Sequence, residues 1–110
     1  MAFNATLETT NCIAKIALSG ELDANTAPIF KTEVDKAVSQ RVKRLILLME
    51  DLEYMSSAGL RVLLFAKQKM GADVDIYVIG AQDLVMSTLE KTGFDRGVIL
   101  LDEYQATELE

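Results

Sequence analysis

The stretch EDLEYMSSAGLRVLLFAKQKM, residues 50–70, decides how this chain is organised. It starts with acidic residues, passes through two adjacent serines and a glycine, and continues with apolar residues at helical spacing. The apolar run RLILLME (44–50) stands directly before it and has the length of a strand that is covered on both faces. We therefore predict a central strand over 44–50, an acidic loop, and a helix over about 57–70.

Strand and helix patterns also precede this stretch. Side chains alternate with a period of two residues over 3–9 and again over 12–19, on either side of a short turn. This pattern predicts a β-hairpin. A helix is expected to start after Thr26, a suitable N-cap residue, with Pro28 in its first turn, and to run to about Gln40. The chain is thus expected to open with two strands and a helix.

The C-terminal part repeats the alternation of strand and helix. VDIYVIG (74–80) reads as a second covered strand, and QDLVMSTLEKTG as a helix that ends at Gly93. GVILL (97–101) is a short last strand, and residues 102–110 are expected to add a terminal helical turn or two. The element order ββαβαβαβ(α) predicts an α/β fold: a mixed β-sheet flanked by helices.

Length and charge restrict the function of the chain. Its 110 residues, half of them hydrophobic, suit one domain over 1–110. A net charge of −6 with no basic cluster argues against nucleic acid or an anionic membrane as the partner. There is no signal-peptide pattern and no apolar run of about 18 residues, so we expect a cytoplasmic protein without a membrane span.

The chain contains no histidine, which removes Ser-His-Asp and Cys-His catalytic arrangements and most transition-metal sites. The single cysteine, Cys12, falls on the alternating pattern and is expected to be a small core residue, with a redox role as the alternative. A nucleophilic Ser57 would need a base, and Lys67 and Lys69 lie two to three helical turns away. We therefore expect no enzyme activity, no cofactor and no metal.

The serine loop has two interpretations. A hydroxyl of Ser56 or Ser57 can cap the helix, and Gly59 permits close approach of the backbone, which would be a purely structural role. The loop also follows the carboxyl end of a parallel strand, where open α/β sheets place their functional surface. A phosphate here would be tolerated by the helix N-terminus, whereas a docking partner would have to bury its charge.

The helix after the serines combines an apolar face with an unusual aromatic residue. On a helical projection its core face consists of Leu60, Leu63, Leu64 and Met70. Phe65 instead falls between Arg61 and Lys69, and Val62 and Ala66 extend the apolar surface around that side. This patch is either a surface for a docking partner or the contact of a neighbouring helix.

Two motifs, LSGELD (18–23) and LILLMEDLEYMSSAGLRVLL (45–64), resemble those of the STAS-domain anti-sigma factor antagonists. The similarity extends over nearly the whole chain in length and element order. It implies a protein-binding module whose unphosphorylated form binds an anti-sigma factor that is also a serine kinase. Phosphorylation of a loop serine then releases the antagonist, and a PP2C-type phosphatase restores it.

The resemblance implies that Ser57 is phosphorylated, with Ser56 as the alternative because it stands where the family usually has aspartate. The residues expected to contact a partner are Asp23, Asp51, Met55, Ser56, Ala58, Gly59, Arg61, Val62 and Phe65. The free protein is expected to be a monomer. The alternative function is a constitutive STAS adaptor subunit of a scaffold or lipid-transport complex, without phosphorylation, and the missing aspartate favours it.

Overall fold

The computed structural model describes residues 3–103, so the helical turns expected at the C-terminus fall almost entirely outside the described residues. A short 3-10 helix, Phe94–Gly97, precedes the last strand. The strands and α-helices are β1 Asn4–Thr10, β2 Ile13–Leu22, α1 Ala27–Ser39, β3 Arg44–Met55, α2 Ser57–Met70, β4 Asp75–Ile79, α3 Asp83–Thr92 and β5 Ile99–Leu101.

The five strands form one mixed sheet in the order β1-β2-β3-β4-β5. β1 and β2 are antiparallel, and all other neighbours are parallel. Each helix connects two neighbouring parallel strands: α1 joins β2 to β3, α2 joins β3 to β4, and α3 joins β4 to β5. The predicted fold class is therefore confirmed, with β3 at the centre of the sheet.

One hydrophobic core holds the three helices against one face of the sheet. Phe30 of α1, Leu63 of α2 and Leu89 of α3 are fully buried in the same cluster as Ile16 and Leu47 of the sheet. Ile46 alternates with the core residues of β3 and is fully buried in a second cluster, with Tyr77 and Ile79. Because successive residues of a strand point to opposite faces, β3 has a buried residue on its second face at Ile46, whereas Leu48 on that face is half-buried and Glu50 is exposed. The predicted burial on both faces therefore holds only for the first part of the apolar run.

The hairpin turn departs from the sequence prediction. Thr10 pairs with Ile13, so the loop has only two residues, Asn11 and Cys12, with φ of 52° and 65°. Two positive φ values are the signature of a type I′ turn, whose twist matches that of the flanking strands. Cys12 is exposed in this turn, so its assignment to the core is wrong. β2 begins at Ile13, one residue after the start of the predicted alternation.

Strands β2 and β3 are longer than predicted. β2 continues to Leu22 through Gly20, at φ 84°, where the register with β3 shifts. β3 continues to Met55, so residues 51–55 are strand rather than an acidic loop. The reason is that Leu52 and Met55 are buried, which holds the acidic end of β3 in the sheet with its charges outward.

The helix boundaries largely follow the sequence signals. α1 begins after Thr26 with Pro28 in the first turn and ends at Ser39, one residue before the predicted end. α2 spans the predicted residues, and α3 ends at Gly93, whose φ of 75° is left-handed. No helix within residues 3–103 is long and apolar enough to cross a membrane.

The turn can be tested by Cys12→Gly. A left-handed conformation costs a residue with a Cβ about 1–2 kcal/mol, and part of that gain is offset by the greater freedom of glycine in the unfolded chain. We expect the free energy of unfolding to rise by about 0.5–1 kcal/mol in urea denaturation. Cys12→Ala, which keeps the Cβ, is the control and should stay close to wild type. A loss of 2 kcal/mol or more with alanine would instead indicate a core residue.

Candidate functional site

The serine pair lies where β3 passes into α2, at the carboxyl ends of β2 and β3. Leu22, near the end of β2, pairs with Met55 at the end of β3. The backbone N–H of Ser56 donates to the carbonyl oxygen of Leu22 over 2.8 Å. Asp23 follows Leu22 directly, so residues 20–23, which we call the GELD segment, lie beside the serines. The sequence alone left this proximity open.

Asp23 is held in place by hydrogen bonds at the start of α1. Its carboxylate Oδ1 accepts the backbone N–H groups of Asn25 and Thr26 over 2.9 and 3.1 Å. Thr26 Oγ1 accepts the N–H of Asp23 at 2.8 Å and donates to the carbonyl oxygen of Glu21 at 2.9 Å. Thr26 occupies the N-cap position, but its hydroxyl fixes the GELD segment and does not cap the helix.

The two serines differ sharply in environment. Ser56 occupies the N-cap position of α2 with an extended backbone, but its side chain makes no capping hydrogen bond. Its Oγ is buried and has no hydrogen-bond partner within residues 3–103. Ser57 is the first residue of α2 and is exposed. The expectation of a serine hydroxyl cap is therefore wrong, and Ser57 is the serine that solvent or a partner reaches.

Gly59 brings the start of α2 against the sheet. A Cβ on this residue would lie 2.6 Å from Leu22 Cγ, 2.7 Å from Leu22 Cδ2 and 3.1 Å from Met55 Cγ. Both neighbours are buried, so neither side chain has free space to move into. The close backbone approach predicted for Gly59 is confirmed, and it fixes where Ser57 lies relative to β2 and β3.

Three predicted partner-binding residues are buried and are therefore not available to a partner. They are Met55, Gly59 and Val62. The predicted apolar surface through Val62 and Ala66 is wrong, because both residues belong to the core face of α2. Leu64, predicted to lie on the core face, is 47% exposed. The core face of α2 is therefore rotated from the predicted one and includes Gly59.

Phe65 lies on the side of α2 that faces α1. It is partly buried against the main core, and Nζ of Lys31 in α1 stands 4.4 Å from the ring centroid. Nζ of Lys69 lies 5.8 Å from the same centroid. Two cations near one ring favour its position between the helices. Of the two interpretations of Phe65, contact with a neighbouring helix is seen.

Asp51 does not lie near the serines. It pairs with Ser19 in the sheet and is exposed four residues before Met55. At about 3.3 Å per strand residue, this separates it from the end of β3 by about 13 Å. The carboxylates of the acidic stretch therefore spread along β3, because the strand continues where a loop was predicted.

Four of the five exposed residues of α2 form one line along the helix, which we call the outer stripe: Ser57, Arg61, Leu64 and Gln68. The fifth, Lys69, lies beside Phe65. A cavity of about 190 Å³ lies beside it, lined by Leu60, Arg61, Leu64, Thr92 and Phe94. No sequence signal points to Thr92 and Phe94, since only tertiary packing brings the end of α3 to this helix. Within residues 3–103 no group of side chains could hold a metal ion.

Comparisons with known proteins agree with this architecture. The family model described as STAS domain matches residues 4–107. The anti-sigma-F factor antagonist RsfB of Mycobacterium tuberculosis is 22% identical over 95 residues, which cover 86% of this chain and 78% of RsfB. The crystal structure of an anti-sigma factor antagonist from Mycobacterium paratuberculosis superposes with a TM-score of 0.84 at 20% identity, covering 97% of this chain and 90% of that one.

The anti-sigma factor antagonist SpoIIAA is similar in both of its solved forms. Its unphosphorylated form gives a TM-score of 0.79 at 20% identity, with 96% of this chain and 92% of that chain covered. The phosphorylated form of the Bacillus protein gives 0.70 at 20% identity, with coverage of 98% and 96%. At this identity the likeness establishes the fold, and the fold of this chain is that of SpoIIAA.

Gly59→Ala tests the close packing under the serines. Alanine favours a helix by up to about 1 kcal/mol over glycine, but its Cβ collides with Leu22 and Met55, and such overpacking costs about 1–3 kcal/mol. We expect a net loss of about 1–2 kcal/mol in the free energy of unfolding, measured in urea. Ala58→Gly, one residue earlier, is the control: it loses helix propensity and the contacts of one half-buried methyl group, and it introduces no clash. A more stable Gly59→Ala protein would contradict the contact.

Ser56→Ala tests the unpartnered hydroxyl. A capping serine loses about 1 kcal/mol on this substitution, whereas removing a buried hydroxyl without a partner leaves stability unchanged or improves it. We expect a change between zero and about 1 kcal/mol of added stability by urea denaturation. Thr26→Ala, which removes a hydroxyl that has partners, should destabilise the protein. A clear loss in Ser56→Ala would mean that the hydroxyl is bonded.

Proposed function

This chain belongs to the STAS domain family, and we propose that it is an anti-sigma factor antagonist that acts as a phospho-switched binding module. The observation that carries the proposal is the position of Ser57: exposed, at the first turn of α2, and beside the ordered GELD segment. The named relatives support it, since RsfB and SpoIIAA are anti-sigma factor antagonists and SpoIIAA has been solved with and without phosphate.

In the proposed unphosphorylated state, the partner binds a surface around Ser57. Its accessible members are Asp23 on one side and Ala58 and Arg61 on the other, which are partly or fully exposed. The surface is rigid because Asp23 is fixed by hydrogen bonds and Gly59 locks α2 against the sheet. A preformed surface of this kind loses little conformational entropy when the partner docks.

Phosphorylation of Ser57 changes the charge of this surface and leaves the fold intact. A phosphate adds about −1.5 to −2 charges and three strong acceptor oxygens. The N-terminus of α2 tolerates the negative charge, whereas a docked partner would have to bury it next to Asp23. A penalty of a few kcal/mol would weaken binding by about 100-fold or more. The phosphoprotein would therefore release its partner.

The proposed partners are an anti-sigma factor that is also the serine kinase, and a PP2C-type phosphatase that removes the phosphate. We place this exchange in the cytoplasm, with the antagonist a monomer when free and without a cofactor. Its output is transcription, since the antagonist holds the anti-sigma factor and a sigma factor is freed. In this function the chain binds and is modified, and has no catalytic role of its own.

A constitutive STAS adaptor, without phosphorylation, is the second candidate. It is favoured by Ser56, which stands where the family usually has aspartate and which buries its hydroxyl. A kinase that reads an acidic group next to its target serine would not find one at this position. In that function the surface around Ser57 would bind its partner permanently.

The two functions differ in the effect of Ser57→Asp. For the switch we expect about 100-fold weaker binding to a purified anti-sigma factor of the same cell, measured by titration calorimetry, because the carboxylate adds charge to the docking surface. Ser57→Ala is the control and should bind as wild type does. Undiminished binding by Ser57→Asp, with no phosphate on either serine in cells by intact mass, would favour the adaptor.

A further inference from the structure

Arg61 stands out in the outer stripe of α2. It lies four residues after Ser57, and both residues are exposed on the same line of the helix. Within residues 3–103 it forms no ion pair. α2 contains no aspartate or glutamate from Ser57 to Met70, so no carboxylate of its own helix competes for the guanidinium.

We propose that Arg61 binds a phosphate carried by Ser57, as an ion pair within the protein. This inference rests on the proposed function, in which Ser57 is the modified residue. Residues four apart on a helix have Cβ atoms about 5–6 Å apart, and an anion placed N-terminal to its cation is the better orientation. The planar guanidinium donates two parallel hydrogen bonds to a phosphate, which makes arginine well suited to this position.

The pair has a consequence for partner release. In the unphosphorylated protein the guanidinium of Arg61 is free to contact a partner at the edge of the cavity that it lines with Leu64 and Phe94. Once Ser57 carries phosphate, Arg61 turns to it and leaves that contact. Phosphorylation thus adds negative charge next to Asp23 and at the same time withdraws the cation on the other side of Ser57.

The pair can be tested on protein with phosphoserine installed at position 57 during translation, without any partner. The readout is the second pKa of the phosphate, ordinarily about 6, followed by phosphorus NMR. Arg61 favours the dianion and lowers this pKa, so Arg61→Gln should raise it by about 0.2–0.4 unit. The difference should shrink in 1 M salt, because the pair is exposed to solvent.

Lys67→Gln is the matched control. It removes the same charge from the same helix, but ten residues from Ser57, about 15 Å along the axis, where salt screens the interaction. The acidic groups beside the site, Asp23 and Glu21, are the same in every variant and raise the pKa equally. The control should therefore change the pKa by about 0.1 unit or less.

Two results would contradict the proposed ion pair between Arg61 and the phosphate. Equal pKa values for the wild-type and Arg61→Gln phosphoproteins would mean that Arg61 does not contact the phosphate. An equal shift in Lys67→Gln would mean that only the overall charge of the helix matters. A second measurement is the Arg61 Nε–H resonance, which should move on phosphorylation. Failure of the proposed function would appear separately, as absence of phosphate on Ser57 in cells, because this test installs the phosphate.

Discussion

The contact of Gly59 with Leu22 and Met55 is the constraint on which the rest of the site depends. It joins the first turn of α2 to the ends of β2 and β3 so closely that a Cβ at this position would force Leu22 or Met55 to move. Because the helix starts so close to the sheet, Met55 and Val62 are buried and the outer stripe faces solvent. The same contact places Ser57 beside the GELD segment. The absence of a Cβ at Gly59 thus helps to determine which residues of α2 a partner can reach.

The surface around Ser57 carries opposite charges on its two sides. On the side of α1 it has Asp23, held by two backbone N–H groups, and on the side of α3 it has Arg61 at the edge of an apolar cavity. In a chain of net charge −6, α2 has three cations and no acid. A partner that matches both sides can bind in one orientation only, since reversing it would bring like charges together.

Ser56 stands where the antagonists that the serine motif resembles usually have aspartate. An aspartate at this N-cap position would accept a backbone N–H and add negative charge to the helix N-terminus. Serine can accept the same bond, but here its Oγ is buried without a partner among the described residues. Without a carboxylate at position 56, an anion on Ser57 is not repelled by the N-cap residue, and Arg61 is the charged residue of α2 nearest to it.

Sequence by itself determined the order of the elements, the central place of β3 and the boundaries of α2. Continuous apolar runs, helical spacing, Pro28 and Gly93 are local signals, and each depends on a few neighbouring residues. The resemblance in the GELD and serine motifs also pointed to the family. These features needed no knowledge of which segments meet in space.

Tertiary structure decided which side chains are accessible. A helical projection shows that Val62 and Leu64 lie on different sides of α2, but only the position of the sheet under Gly59 makes the first buried and the second exposed. Cys12 lies outside the core because it is the second residue of a two-residue turn, where the backbone is left-handed. Asp51 lies away from the serines because β3 continues to Met55, with Leu52 and Met55 buried. In each case the deciding contact joins residues far apart in the chain, and the sequence does not contain their distances.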